Sequence, residues 1–163
     1  MIQKNFIKID QIDGECNIRG HEKEIDVLGW SWTAGNVPGE SQSNIAQSGR
    51  VKPAVSNFAF SHYVDMATPK IMKACLEGLH ARNARLSVRS DPNSSTDYFT
   101  LSFDDVMLTS SVLTAAENCS RTIETVTFWF AKVTEEYTSL KPDGSAGSKI
   151  STSFDPIKNR LIT

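Results

Sequence analysis

The side chains that could carry out chemistry in this chain are few and widely separated. None of the three histidines, His21, His62 and His80, has partners at the spacing of a metal site. Residues 91–97 weakly resemble a calcium loop, but they lack its glycine and its terminal glutamate, and they are better interpreted as a hairpin turn. The sequence has no Gly-x-Ser-x-Gly elbow and no phosphate-binding glycine loop. We therefore predict no catalytic residue, no metal site and no cofactor.

The thiols and the paired acids support the same conclusion. Cys75 falls on the apolar stripe of a predicted helix, which favours a core position. The adjacent acids Asp104–Asp105 and Glu135–Glu136 would point in opposite directions on strands, so neither pair suits acid/base catalysis. Three widely spaced cysteines, Cys16, Cys75 and Cys119, predict free thiols in a reducing compartment.

Composition limits the class of protein. The 163 residues predict a single domain spanning 1–163. A formal net charge of −2 argues against a nucleic-acid partner, which would require a basic face. No run of 18 apolar residues is present, so no membrane insertion is expected. The first residues do not form a signal peptide, and we expect synthesis in the cytosol without the general secretory route.

The most informative segment is residues 21–32, which read HEKEIDVLGWSW. Its second half predicts a strand, on which Trp30 and Trp32 share one face and Ser31 points to the other. Two large aromatic side chains anchor a core. A small hydroxyl on the reverse side indicates that this second face meets a partner or a confined space.

The remaining pattern is that of many short strands with one helix. Thr68 as N-cap and Pro69 at the first helical position predict a helix over about 69–77, ended by Gly78. The predicted strands are 5–12, 24–33, 51–63, 84–89, 96–103, 105–114, 121–137 and 150–161.

Two segments break this pattern, and aromatic residues define the predicted core. Residues 34–50 are rich in Gly and Ser and predict a loop that protrudes, taken with its flanks as 34–52. Residues 138–149 predict a flexible connector. We expect a sandwich or barrel. Its predicted core aromatics are Phe6, Trp30, Trp32, Phe58, Phe60 and Trp129.

The ordered motifs resemble one family. FIKIDQIDGE, HEKEIDVLGWSW, a Gly/Ser-rich loop, FAFSHYVDMATPKIMKAC, ETVTFWFAKVTEEY and FDPIKN follow one another as in the Hcp proteins, the hemolysin-coregulated tube proteins of bacterial type VI secretion. The resemblance implies a mainly β fold, a β-barrel formed by two packed sheets with one short flanking helix. It also implies homohexameric rings that stack into a tube, which a sheath propels out of the cell behind a spike.

The resemblance also implies roles for particular residues. Ser31 would face the ring lumen, where effector proteins bind before export, and the loop 34–52 would contact the next subunit or ring. The contact residues implied within the loop are Val37, Pro38, Gly39, Glu40, Ser41, Gln42 and Asn44. At Pro38, Glu40 and Asn44 this chain departs from the long glycine runs of the family.

Other interpretations of these residues stay open at the level of sequence. Ser31 fits equally well as a small residue on a packed strand, and the loop as a disordered segment. The rival function is a monomeric carbohydrate- or ligand-binding β-sandwich module that uses surface aromatics, and an enzyme ranks third. The mass in solution distinguishes a ring from a monomer.

Overall fold

The computed structural model describes residues 2–37, 52–91 and 93–162. Within these ranges the chain forms eleven strands and one helix, α1. The strands are β1 (Lys4–Ile9), β2 (Ile25–Val27), β3 (Gly29–Ser31), β4 (Ala34–Val37), β5 (Lys52–Val55), β6 (Phe58–Tyr63), β7 (His80–Arg89), β8 (Phe99–Thr114), β9 (Ile123–Leu140), β10 (Ala146–Asp155) and β11 (Arg160–Ile162), and α1 spans Thr68–Glu77. The fold is mainly β with one helix, as predicted.

Nine of the strands form one sheet that wraps around the core. The pairing runs from β2 through β1, β7, β8 and β9 to β6 and β3. The segment predicted as a single strand over 24–33 is two short strands, β2 and β3, which pair with β1 and β6 respectively. Leu28 joins them, and its N–H donates to the Ser61 carbonyl at 2.8 Å. The ends of this sheet, which we call the wall, are thus joined by the chain at Leu28, but β2 and β3 do not pair and the wall does not close into a true barrel.

The long hairpin β8–β9 belongs to both halves of this wall. The predicted break after residue 103 is a bend in one continuous strand, where Asp105 has a φ of 51°. Leu101 and Phe103 are buried before the bend, and Val106 and Leu108 are buried after it, so the buried face changes parity at Asp105. In β9, residues 123–128 pair with β6 and residues 133–140 pair with β10. The hairpin therefore runs through both halves of the sheet.

The main core lies between the two halves and is rich in phenylalanine. Phe58 and Phe60 are fully buried, and the Phe58 ring lies 4.9 Å from that of Phe103 and 5.0 Å from that of Phe128. Trp30 and Trp32 are half-buried and pack against this cluster.

Two predicted core residues lie elsewhere. Phe6 is fully buried, but its neighbour Ile7 faces the main cluster, so alternation turns Phe6 to the other side of the sheet. There its ring stacks on His21 at 4.1 Å. The core position predicted for Trp129 is wrong, because its neighbours Phe128 and Phe130 face the core and Trp129 lies half-buried on the outward side.

Helix α1 packs one side against the wall. It ends at Gly78, in the left-handed conformation with a φ of 62°, as predicted. Its N-cap is Ala67 without a side-chain hydrogen bond, so the predicted cap by Thr68 is wrong. Ile71 and Ala74 are buried and Cys75 is half-buried, whereas Met72 and Leu76 are exposed. No helix in the described ranges is long and apolar enough to cross a membrane.

The predicted connector over 138–149 is a second hairpin. Strand β9 continues to Leu140, and the turn that follows is held by hydrogen bonds between Lys141 and Ser145 and between Gly144 and Lys141. Strand β10 then returns along β9, and β11 folds back on the end of β10. The segment predicted as one closing strand over 150–161 is thus divided between β10 and β11.

Candidate functional site

Ser31 ends strand β3 with its side chain on the outward face. It lies opposite Ala59 of β6, which lies opposite Thr127 of β9, which in turn lies opposite Ser110 of β8. Paired residues share a face of the sheet, so these four small side chains form one row across four strands. Ser31 and Ser110 are exposed. This row therefore offers small side chains with hydroxyl groups that can donate and accept hydrogen bonds, and the half-buried Trp129 and Met107 lie beside it.

The tryptophans on the reverse side hold Ser31 in this orientation. The Trp30 ring stacks at 6.0 Å on both Phe58 and Phe99, and its Nε1 donates to Asn5 Oδ1 at 3.2 Å. Trp32 meets Phe130 edge-on at 6.4 Å. Since side chains alternate along a strand, fixing Trp30 in the core turns Ser31 outward.

The two ends of the predicted loop 34–52 form an ordered ribbon. Strands β4 and β5 pair from Ala34 opposite Val55 to Val37 opposite Lys52. Thr33 and Ser56 fix its base, because Thr33 N–H donates to Ser56 Oγ and Ser56 N–H donates to the Thr33 carbonyl, both at 2.8 Å. Val37 ends β4. The other predicted contact residues, Pro38, Gly39, Glu40, Ser41, Gln42 and Asn44, lie outside the described residues.

A buried polar cluster, which we call the Glu124 cluster, joins α1 to the wall. It consists of His62, Thr68, Ser111 and Glu124. The Glu124 carboxylate accepts from His62 Nε2 at 2.8 Å, from Thr68 Oγ1 at 2.7 Å and from Ser111 Oγ at 2.5 Å. Burial alone would raise the pKa of Glu124, but these three donors outweigh it and hold that pKa below its usual value.

The Glu124 cluster has no access for a substrate. The side chain of Glu124 is 0% exposed and that of His62 is 1% exposed. Asp65 lies beside it, with Oδ1 at 3.8 Å from His62 Nδ1, and burial raises the pKa of Asp65. These groups position the helix.

A second buried group, the Arg89 cluster, lies on the outward side of the sheet over Phe6. It consists of His21, Glu24, Arg89 and Asp97. His21 Nδ1 donates to Glu24 Oε2 at 2.8 Å, and Arg89 Nε donates to Asp97 Oδ1 at 2.8 Å. Arg89 Nη1 also donates to the Arg19 carbonyl at 3.2 Å. The cluster ties two loops, 10–24 and 90–98, to the end of β7.

The second nitrogen of His21 has two competing partners. Nε2 lies 2.8 Å from Arg89 Nη2, from which a neutral ring accepts, and 3.1 Å from Asp97 Oδ1, to which a charged ring donates. Burial disfavours the charged ring, but hydrogen bonds to Asp97 and Glu24 outweigh burial and raise the pKa of His21 to about 9. At neutral pH the ring is therefore charged and donates from Nε2 to Asp97 Oδ1. The hydrogen bonds from His21 and Arg89 lower the pKa of Asp97, although burial alone would raise it.

The remaining reactive side chains do not converge. All three cysteines are free thiols, and burial raises the pKa of Cys16 to about 11. The neighbours Asp104 and Asp105 turn to different partners, Lys132 at 3.6 Å and His80 at 2.9 Å. Among the described residues no three His, Cys, Asp or Glu side chains come together as a metal site would require.

Sequence reasoning missed both clusters because their members are far apart along the chain. His62 and Glu124 are separated by 62 positions, and His21 and Asp97 by 76. One local signal was present: His21 and Glu24 are three residues apart and are in contact.

Comparison with known proteins agrees with this architecture along nearly the whole chain. The family model described as "Type VI secretion system effector, Hcp" matches residues 6–137. The chain is 34% identical to Protein hcp1 of Pseudomonas aeruginosa over 141 residues, which is 86% of either protein. It is similar to the crystal structure of Hcp1 from Salmonella typhimurium, with a TM-score of 0.80 and 31% identity over 99% of this chain and all of that one.

Two further solved structures agree. A structure of a type six secretion system protein superposes with a TM-score of 0.90 at 26% identity, covering 99% of this chain and 100% of that one. A type VI secretion system effector from Yersinia pestis has a TM-score of 0.74 at 32% identity, covering 93% of this chain and 98% of the other. The chain therefore belongs to the Hcp family, the tube proteins of bacterial type VI secretion.

Proposed function

We propose that this chain is a structural subunit that forms homohexameric rings, which stack into the inner tube of a type VI secretion system. The ring is assembled in the cytoplasm and is exported behind the spike when the sheath contracts. The observation that carries the proposal is the likeness to Hcp structures over 99% of the chain. The buried clusters support a structural role, since Glu124 and His62 position a helix and have no route to a substrate.

The mass of the purified protein in solution tests the assembly. Size-exclusion chromatography with light scattering is expected to give about six times the 18.0 kDa of one chain. Negative-stain images are expected to show rings with an open centre. A particle of 18.0 kDa at every concentration would contradict the proposal and favour a monomeric binding module.

We further propose that Ser31 faces the lumen and contacts effector proteins. The support is the row of small, partly exposed side chains in which Ser31 lies, since such a row leaves room for cargo along the wall. Replacing Ser31 with Arg is expected to leave the ring intact and to weaken effector retention in a pull-down. Ser151→Arg is the matched control, because Ser151 is an exposed strand serine on β10, at the other end of the sheet. Equal retention by the Ser31 variant and the parent would refute this role.

The loop at the end of the β4–β5 ribbon is proposed to make the contact between stacked rings. The ribbon supports the proposal, since it carries both ends of the loop away from the core side by side. Deleting residues 38–48 is expected to leave rings intact and to abolish long tubes, because ring closure and ring stacking use different surfaces. Electron micrographs that still show full-length tubes would count against it.

A further inference from the structure

His62 has one ring nitrogen that the Glu124 cluster does not use. Its Nε2 donates to the Glu124 carboxylate at 2.8 Å. Its Nδ1 is buried and has no hydrogen-bond partner among the described residues. A buried polar atom of this kind is costly unless a neighbouring group satisfies it.

The group that faces this nitrogen is a carboxylate at the start of α1. Asp65 Oδ1 lies 3.8 Å from His62 Nδ1, and the side chain of Asp65 is only 9% exposed. The same oxygen accepts from the Ala67 N–H at 2.9 Å, and the Asp65 N–H donates to Thr68 Oγ1 at 3.3 Å. Asp65 thus connects the first turn of α1 to a histidine of β6.

The contact between His62 and Asp65 is favourable only if it contains a proton. Since Glu124 is charged, a neutral His62 ring carries its single proton on Nε2 and leaves a lone pair on Nδ1. That lone pair would face a charged Asp65, and the three groups together would carry two negative charges in a largely buried site. One further proton, on Nδ1 or on the Asp65 carboxyl, makes one group a donor and halves that charge.

The acids around the pair favour retention of this proton. Burial raises the pKa of Asp65, and the charges of Glu124 on β9 and Glu15 in the loop before β2 act in the same direction. On α1, burial also raises the pKa of the Cys75 thiol, to which Glu124 adds, so this group contributes no charge at neutral pH.

The bases nearby do not neutralise Asp65. The carboxylate lines a cleft of about 290 Å³, whose charged residues are Lys4, Glu15, Asp26, Asp65 and Arg121. Arg121 is engaged elsewhere, since its Nη2 donates to the Val64 carbonyl at 3.1 Å and its guanidinium lies 4.9 Å from the centre of the Tyr63 ring. Within the described residues, no Lys or Arg side chain forms an ion pair with Asp65, whereas His62 is close enough to do so.

We propose that His62 and Asp65 share one proton at neutral pH, and that this proton holds the start of α1 against β6. Its loss at higher pH leaves a neutral ring between two charged carboxylates, and Asp65 then turns from the ring towards the water of the cleft. The pair is therefore a pH-sensitive switch at the first turn of the helix. It belongs to the single chain and does not depend on ring assembly, so its failure would leave the proposed function standing.

The sign of the pH dependence follows from the number of bound protons. In the unfolded chain a histidine loses its proton near about pH 6.5, whereas the folded pair still holds one above that pH. The contribution is therefore complete below about pH 6.5 and is lost as the pH rises. We expect the folding equilibrium constant to fall by up to about tenfold per pH unit until the pair has released its proton.

The test compares Asp65→Asn with Asp26→Asn, both in a chain with His21→Gln, which removes the other histidine that acts in this range. The amide in Asp65→Asn still accepts from the Ala67 N–H and has no charge, so it copies the protonated carboxyl. Asp26 is exposed in the same cleft and provides the matched control. Urea unfolding at intervals from pH 6.5 to about 9 measures the folding constant of each chain.

The decisive quantity is the ratio of the folding constant of Asp65→Asn to that of the His21→Gln chain. We expect this ratio to rise with pH by up to about tenfold per unit, and the ratio for Asp26→Asn to stay constant. A purely structural cap would give a constant ratio for both variants, because Asn caps a helix as well as Asp. A constant ratio for Asp65→Asn, or an equal rise for Asp26→Asn, would overturn the shared proton.

Nuclear magnetic resonance of the His21→Gln chain provides an independent readout without any change at the pair. The ring nitrogens of His62 and the carboxyl carbon of Asp65 are expected to shift together, in one titration step above about pH 6.5, because they share the proton. An Asp65 carboxyl that titrates alone at lower pH would contradict the proposal even if the variants behaved as expected.

Discussion

Both buried clusters supply hydrogen-bond donors to carboxylates that are removed from water, but they use different donors. In the Glu124 cluster, one carboxylate is fully buried and is satisfied by one ring nitrogen and two hydroxyls. In the Arg89 cluster, two carboxylates are balanced by a guanidinium and a charged imidazole. The first joins a helix to the wall from inside, and the second holds two loops on the outside. The difference is that the fully buried carboxylate is held by one imidazole and two hydroxyls, whereas the two carboxylates of the partly exposed cluster are held by a guanidinium and an imidazole.

The largest expected effect is the loss of the buried carboxylate. Glu124→Ala leaves His62, Thr68 and Ser111 without their acceptor, and we expect the free energy of unfolding to fall by about 3–5 kcal/mol. Urea unfolding at fixed protein concentration measures it. Glu117→Ala, at an exposed glutamate in the loop before β9, is the control and should change stability by at most about 0.5 kcal/mol. If Glu124→Ala lowered the free energy of unfolding by less than Asp97→Ala, the Glu124 cluster would contribute less to stability than the Arg89 cluster.

Removing one acid from the Arg89 cluster should cost less. The side chain of Asp97 is 18% exposed, against 0% for Glu124, so water can replace part of its hydrogen bonding. We expect Asp97→Ala to lower the free energy of unfolding by about 2–3 kcal/mol. Asp104→Ala, which breaks the exposed pair with Lys132, should cost at most about 1 kcal/mol and serves as the control.

The clusters should also differ in their response to pH. The pKa of His21 is about 9 in the folded chain and 6.5 as the reference, so its contribution is complete below pH 6.5 and is lost as the pH rises through 9. We expect stability to fall by up to about 1.4 kcal/mol per pH unit in this window. His21→Gln should flatten the curve there, and an equal slope in both proteins would exclude a charged His21.

Three further groups act outside that window. The pKa of Cys16, raised from 9.0 to about 11, makes its contribution fall only above pH 9. The lowered pKa values of Glu124 and Asp97 make their contributions present above the reference values of 4.5 and 3.8 and lost at lower pH. The difference in slope between the parent and His21→Gln from pH 6.5 to 9 therefore measures the contribution of His21.

The smallest effect concerns a single donor. Thr68→Val removes one of three hydrogen bonds to Glu124 and keeps the shape of the side chain, so we expect a loss of about 1 kcal/mol. Thr125→Val, at an exposed threonine of β9, is the matched control. A loss as large as that of Glu124→Ala would mean that the other hydrogen bond of Thr68 Oγ1, accepted from the Asp65 N–H at 3.3 Å, contributes much of the effect.

Local patterns predicted the parts of the fold that depend on near neighbours. The end of α1 at Gly78 follows from residue type and spacing. Alternation separated Phe128 and Phe130 from Trp129 but did not show which of the two faces is buried. The hairpin turn between β7 and β8 likewise has its own local signature in residues 91–95.

Features that depend on distant partners could not be predicted in this way. Nothing local shows that the strand over 24–33 divides at Leu28, because the division reflects pairing with β1 on one side and β6 on the other. The parity change at Asp105 requires a left-handed conformation at a residue other than glycine, which has no clear signature in sequence. For the candidate site, alternation predicted that Ser31 opposes Trp30, but the row through Ala59 and Thr127 appears only when the strands are paired.

The bend at Asp105 has a consequence for how the domain comes apart. Strands β8 and β9 pass through it without a break, and β9 bonds to β6 before it and to β10 after it. Because β8 and β9 are continuous, neither half of the wall can unfold without breaking strand hydrogen bonds in the other half. The two halves of the sheet therefore open as one cooperative unit, and amide hydrogen exchange in β6 and in the paired part of β10 should report the same global event.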